Sequence, residues 1–293
     1  MAIEERDPHT GYMTTGHEWN DIKELNRPIP KVVWVFVFVT HLFALVYWVL
    51  MPAWPLVETY TKGILGADQR TRVAQDIRDA AAARAVWTGK IATSDYKAIQ
   101  ADPSLMRIVH SSGRPLFEDN CAVCHGMKGQ GGNGFPRLVD DAWLWSASPA
   151  GVAETIRVGI NSSHPETRVS QMPAFGRDQI LDRKAILEVV AYVRALSDPT
   201  LARDDQAPMV AAGRAVFAAN CVACHGKDGV GNREIGASNL TDGFWIYGGD
   251  LQNIFTSVGQ GRQGHMPHWE DRLSVIERKI LALYVLDLGA AKK

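Results

Sequence analysis

The sequence predicts a mainly α-helical chain, with one N-terminal transmembrane helix followed by two tandem copies of a small helical domain. Three observations carry this expectation. Residues 32–54 contain no Asp, Glu, Lys or Arg, the chain aligns with itself at an offset of 100 residues, and each copy closes with an amphipathic helical pattern. A chain of 293 residues that is 46% hydrophobic and 22% charged has material for about two packed domains and is not wholly disordered. Its 31 basic and 32 acidic residues leave a formal charge of −1, without the basic footprint that nucleic acid requires, so no nucleic acid is expected as a partner. A mean hydropathy of −0.11 excludes a polytopic membrane protein but permits one span.

Residues 1–31 form a polar N-terminal segment. The stretch from Val32 to Trp54 follows, and as a helix it would rise about 34 Å against a hydrocarbon core of about 30 Å. Its distance from the N-terminus, and the bulky Pro55-Leu56-Val57 after it, distinguish it from a cleaved secretory signal. Trp34 near one end and Trp48 and Trp54 near the other suit interfacial aromatic belts, and Pro52 and Pro55 stop the helix. Basic residues flank both ends (Arg27 and Lys31; Lys62, Arg70 and Arg72), so charge does not orient the span. His41 lies at mid-depth beside Thr40 and Ala44. This arrangement predicts docking to a partner helix that satisfies the imidazole, the alternative being a bond to its own helix or to water. Residues 55–103 read as a connector, helical over the Ala-, Arg-, Asp- and Gln-rich stretch 67–100.

The two copies occupy residues 104–196 and 209–293, joined by a polar, Pro-bounded linker at 197–208. Gly113-Arg114, Phe117, Asn120-Cys121 and Cys124-His125-Gly126 align with Gly213-Arg214, Phe217, Asn220-Cys221 and Cys224-His225-Gly226. The match runs on through Trp143 and Trp245 and through Val158-Gly159 and Val258-Gly259, to Met172-Pro173 and Met266-Pro267. Helical patterns over 183–196 and 273–288 share Tyr-Val-x-x-Leu at Tyr192 and Tyr284.

All four cysteines lie in two Cys-x-x-Cys-His runs, the spacing of c-type haem attachment. Residues at i, i+3 and i+4 share a helix face, so Cys121 and Cys124, and likewise Cys221 and Cys224, can bond the vinyl positions of one porphyrin each while His125 and His225 meet the irons. The reading is two covalently attached haem c groups. A zinc ribbon would space its pairs 15–20 residues apart, roughly, rather than 100, and a thioredoxin-like pair would need a βαβ context. A thioether completes a low-spin electron-transfer iron, and Met172 and Met266 are the candidates, 47 and 41 residues after His125 and His225 and each stiffened by a following proline. His164, His265 and His268 are rivals for the sixth position. Trp143 and Trp245 fit haem packing and ordinary core equally well.

An N-terminal helix, Cys-x-x-Cys-His, a distal Met and a C-terminal helix with an aromatic resemble class I cytochrome c twice over, across residues 104–290. Gly16-His17-Glu18-Trp19 and Glu24-Leu25-Asn26-Arg27-Pro28-Ile29-Pro30 before the span, with Pro52-Ala53-Trp54-Pro55 after it, extend the resemblance to the dihaem subunit (CcoP/FixP family, subunit III) of the cbb3-type cytochrome c oxidases. The resemblance implies a single-pass anchor in the bacterial inner membrane, with residues 1–31 cytoplasmic and the haem domains periplasmic. It further implies a soluble or membrane-anchored cytochrome c as donor and, beyond this chain, a monohaem cytochrome c subunit and the haem-copper catalytic subunit of aerobic or microaerobic respiration. The chain would then be the electron-input subunit of an enzyme, with no catalytic residue of its own. Service to a nitric oxide reductase or a periplasmic dehydrogenase is the alternative, and a dihaem peroxidase a more distant one. In class I cytochromes c the iron-bound imidazole donates to the carbonyl of a proline after the Gly-rich loop. Pro136 occupies that place in the first copy and Ser238 in the second, so the carbonyls of 136 and 238 are expected beside Nδ1 of His125 and His225.

Overall fold

The computed structural model describes residues 5–290 of the chain, which divide between Ala83 and Arg84 into two compact units.

In the first unit the mainly helical expectation meets one small exception. Strands β1 (Thr14–Trp19) and β2 (Ile22–Leu25) form an antiparallel hairpin. Its two-residue turn places Asn20 and Asp21 at φ of 50° and 64°, the backbone sign that matches hairpin twist and that Asn and Asp tolerate. Helix α1 (Lys31–Leu50) is apolar throughout, none of its side chains is buried, and it is long enough to cross a membrane. It ends four residues before the expected Trp54, because Pro52 pushes Met51 into extended backbone (φ −115°, ψ 161°). Trp54 still packs on Trp48, with ring centroids 4.9 Å apart. The His41 imidazole makes the alternative bond, its Nδ1 donating to the Val37 carbonyl at 2.7 Å, while Thr40 Oγ1 donates to the Phe36 carbonyl at 2.9 Å. One of the two ring nitrogens is thus satisfied within its own helix.

Helix α2 (Gln69–Thr93) lies within the stretch read as a connector and is exposed over most of its length. Its C-terminal end is core rather than connector, since Ile91, and Ile99 of the short helix α3 (Tyr96–Ala101), are fully buried. Lys279 donates to the carbonyls of Ile91 and Ser94, tying this end to the second unit's core.

The remainder is two clusters of helices. Helices α4 (Pro103–Asn120), α5 (Ala122–His125), α6 (Pro149–Val158) and α7 (Arg183–Ser197) come from the first sequence copy. From the second come α8 (Ala207–Asn220), α9 (Val222–His225), α10 (Leu251–Gln260) and α11 (Val275–Ala290). Local sequence sets their starts. Asp182 accepts from the Ala185 N–H at the head of α7, Asp250 from the Asn253 N–H at the head of α10, and Ser274 and Glu277 form a reciprocal capping box before α11.

The copies do not pack as the repeat suggests, for they exchange their C-terminal parts. Helix α11 of the second copy lies against α4 and α6 of the first, whereas α7 of the first lies against α8 and α10 of the second. One core therefore joins Val109, Phe117 and Ile156 to Trp269, Ile280 and Leu281, and the other joins Ile186, Val189 and Val190 to Phe217 and Ile254. The aromatic pairs are crossed in the same way, Phe117 on Tyr284 at 5.8 Å and Phe217 on Tyr192 at 5.2 Å. A Cβ on Gly113 would come within 2.8 Å of Tyr284 Cβ, and one on Gly213 would overlap the Glu188 carbonyl and approach Tyr192. Between α7 and α8 the linker is two short 3₁₀ turns, Pro199–Ala202 and Asp204–Gln206, and so brief a connection makes consecutive helices neighbours.

Because Gly213 meets backbone, Gly213→Ala is expected to destabilise the chain by about 1–3 kcal/mol, read as a lowered urea midpoint, whereas the same change at exposed Gly89, where a Cβ meets nothing, is expected to leave the midpoint in place or raise it.

Candidate functional site

Each Cys-x-x-Cys-His run begins where one helix stops and a single further turn starts. Cys121 caps α4 and precedes α5, and Cys221 stands in the same way between α8 and α9. Burial pushes the Cys121 and Cys221 thiols up to about 11, so they are protonated at neutral pH. Burial also lowers the imidazoles of His125 and His225 below the usual histidine range, with a backbone hydrogen bond opposing it. Both rings are therefore neutral at pH 7.

That bond is the expected one in both copies. His125 Nδ1 lies 2.9 Å from the Pro136 carbonyl and His225 Nδ1 2.9 Å from the Ser238 carbonyl. A carbonyl only accepts, so Nδ1 carries the hydrogen and Nε2 keeps a lone pair for a metal. The loops that deliver these carbonyls turn at Gly131 and Gly231, with φ of 70° and 82°, where a Cβ would strike the backbone at 135–137 or 237–239. Each glycine N–H donates to the carbonyl of its own histidine at 2.8 Å.

The methionines arrive crosswise. Met172 packs against the core that holds Phe217 and Val258, and Met266 against the core that holds Ile156 and Trp269. Their backbones are held by reciprocal hydrogen bonds, Met266 with Ile160 and Met172 with Arg262. The helices before these partners end at Gly159 and Gly261, whose φ of 69° and 73° leaves room only for the oncoming Met-Pro strand. A cavity of about 470 Å³ contains all of these groups, from His125, Met266 and both thiols of the first run to His225, Met172 and both thiols of the second. Its wall is otherwise largely apolar, including Phe175, Val189, Phe217 and Ile254. A thiol pair, a neutral imidazole with Nε2 free and a thioether on an apolar wall are the donor set that haem c requires.

Of the rival histidines, His164 spends both ring nitrogens: Nε2 lies 2.7 Å from Glu270 Oε2, and Nδ1 accepts from the Glu166 N–H at 3.0 Å. His268 faces Asp271 at 3.4 Å, and His265 stands on the cavity wall beside Met266. Trp245 packs on the second core and lines the cavity, whereas Trp143 packs on the first core and does not. Sequence reasoning passed over Trp145 and Trp269, both buried and both on the wall, because neither has a counterpart in the repeat. It also missed Asn161, whose carboxamide ties together the segments that carry the two methionines. Asn161 Nδ2 donates to the Ser170 carbonyl at 2.8 Å and the Gly264 carbonyl at 2.6 Å, and Oδ1 accepts from the Ser170 N–H at 3.1 Å. Its φ of 50°, a conformation asparagine tolerates, is the one local signal.

Asn161→Gly keeps that backbone accessible and removes only the carboxamide, leaving partly buried backbone groups of the crossing unpaired. A loss of about 1–3 kcal/mol in urea denaturation is expected, with Asn161→Ala losing more.

Three family profiles match the chain: the N-terminal domain of cytochrome oxidase-cbb3, FixP, at residues 11–58; cytochrome c at 111–197; and cytochrome c oxidase, cbb3-type, subunit III, at 208–285. The chain is 43% identical to the Cbb3-type cytochrome c oxidase subunit FixP of Bradyrhizobium sp. (strain ORS 278), across 98% of both chains. It is 41% identical to the subunit CcoP of Azospirillum brasilense across the whole of both chains, and 41% identical to the CcoP of Cereibacter sphaeroides across 95% of both.

Proposed function

Since the chain belongs to the FixP/CcoP family of cbb3-type cytochrome c oxidase subunits, we propose that it carries two covalent haem c groups and passes electrons from a cytochrome c donor toward the oxidase's haem-copper catalytic subunit. The observation that carries this reading is the duplicated donor set, in which each Cys-x-x-Cys-His turn has its imidazole oriented by a backbone carbonyl and faces a methionine from the other copy. When bound, each haem supplies a reversible one-electron couple.

The chain's own groups bind, orient and exclude water. Cys121 and Cys124 hold one porphyrin, Cys221 and Cys224 the other, through thioethers to the vinyl carbons. His125 and Met266 would hold the iron of the first haem, and His225 and Met172 that of the second. Pro136 and Ser238 fix the imidazole planes. Each iron would then take two protein donors, with no place left for oxygen or peroxide, so in this reading the chain would supply no catalytic residue and oxygen would be reduced on its partner. Helix α1 anchors the chain in the bacterial inner membrane with the preceding segment cytoplasmic, both haem sites face the periplasm, and a monohaem cytochrome c subunit stands between this chain and the catalytic subunit.

The axial pairing is tested in a chain with Cys221→Ser and Cys224→Ser, which retains only the first haem. There Met266→Ala is expected to abolish the oxidised-state sulfur-to-iron absorption and Met172→Ala to leave it. The reverse result would return each ligand to its own copy, and persistence in both variants would reject methionine ligation at that site.

A further inference from the structure

Gly159 and Gly261 end α6 and α10 in the same way, and the next residue in each case pairs its backbone with the incoming methionine. Ile160 and Arg262 therefore occupy the same place in the two sites. One is apolar and the other a permanent cation.

Both line the cavity, and among the described residues Arg262 is the only Asp, Glu, Lys or Arg on its wall. Its side chain is fixed from two sides, with Nε donating to Ser257 Oγ at 2.9 Å and the guanidinium carbon 4.2 Å from the Tyr247 ring centroid. Ser257 belongs to α10 and Met172 is the backbone partner, so the charge lies on the His225 side of the cavity. Among the described residues no carboxylate forms an ion pair with it and its Nη groups make no side-chain hydrogen bond. The first site carries a counterpart, Arg168, four residues before Met172 and stacked on Trp145 at 4.7 Å, but it is not on the cavity wall, and burial lowers its pKa with the Glu154 charge opposing.

We propose that Arg262 sets the haem held by His225 and Met172 at the higher of the two potentials. Reduction removes one positive charge from the iron, so a fixed cation on a poorly solvated wall favours the reduced form. The free Nη edge is also a donor fork for a carboxylate, and the carboxylates a haem brings are its propionates. Neutralising one withdraws negative charge from around the iron and shifts the couple in the same direction. At the first site Ile160 contributes neither effect. The proposal rests on the axial pairing above.

The test is a potentiometric titration of the full chain loaded with both haems, followed optically. Met172→His lowers one wave and so identifies the His225 haem. Whether Met172 serves that haem is decided separately by the sulfur-to-iron absorption of the single-haem chain. In the wild type the identified wave must be the higher one. Arg262→Gln is expected to lower it by about tenfold in the one-electron equilibrium constant, about 59 mV, with the other wave and the sulfur-to-iron absorption unchanged. Arg262→Lys should retain most of the wild-type potential, which a purely structural role for the guanidinium would not give. The reciprocal variant Ile160→Arg should raise the other wave. The proposal is overturned if the identified wave is the lower in the wild type, if Arg262→Gln leaves it in place or moves the other wave more, or if Ile160→Arg produces no rise.

Discussion

The crossing of an N-terminal helix over a C-terminal helix at a glycine is the contact on which both sites depend. At Gly113 and Gly213 no side chain separates the helices, so Tyr284 and Tyr192 lie directly against the facing backbone and stack on Phe117 and Phe217. Each methionine precedes its C-terminal helix along the chain. The helix chosen as partner therefore also decides which methionine enters which site. Because the short turns between α7 and α8 make those two helices neighbours, α4 is left to pair with α11, and Met266 comes to the first site with it. Neither site is complete within one copy.

A charged network fastens the returning segment on the first site. Arg157 of α6 bonds to Glu154, Glu166 and Glu270, and Glu270 also pairs with His164, four residues beyond Met266 along the chain. Isolated exposed ion pairs contribute little, so what matters here is that one guanidinium and one imidazole hold a single carboxylate from different directions. The His164 bond, followed by those from Arg157, holds the Glu270 carboxyl below the usual carboxylate range. A carboxyl lowered in the folded chain contributes stability above its unfolded pKa and loses it as pH falls through the folded one, so the fastening weakens in acid.

The elements were legible in the sequence because their causes are local. Proline stopped the apolar span, a 3.6-residue period marked α7 and α11, and matched positions in the repeat pointed to the thiols, imidazoles and thioethers. The carbonyls behind His125 and His225 followed from the family resemblance. The exchange was not legible, because Gly113 with Tyr192 and Gly113 with Tyr284 are the same chemistry, and a repeat by its nature cannot distinguish a partner from its copy. Ile91 and Ile99 were hidden for a related reason, since they bury one end of an otherwise exposed connector and leave no periodic stripe. The hairpin at 14–25 was missed because its strands are short and mostly exposed, without the alternation that marks a half-buried strand.

Departures from the repeat fall into two kinds, and the structure separates them. Replacing Pro136 by Ser238 changes nothing at the imidazole, for the role belongs to a backbone carbonyl, and the second loop reaches the same 2.9 Å contact with two more residues between its glycine and that carbonyl. A role borne by the backbone tolerates any residue whose loop closes. Replacing Ile160 by Arg262 leaves the backbone pairing with the methionine just as intact, yet changes the one property the backbone cannot supply, a charge on the cavity wall. Duplication thus fixes what two electron-transfer sites share through main-chain geometry. Any difference in affinity for an electron must then enter through the few wall side chains that the repeat does not constrain.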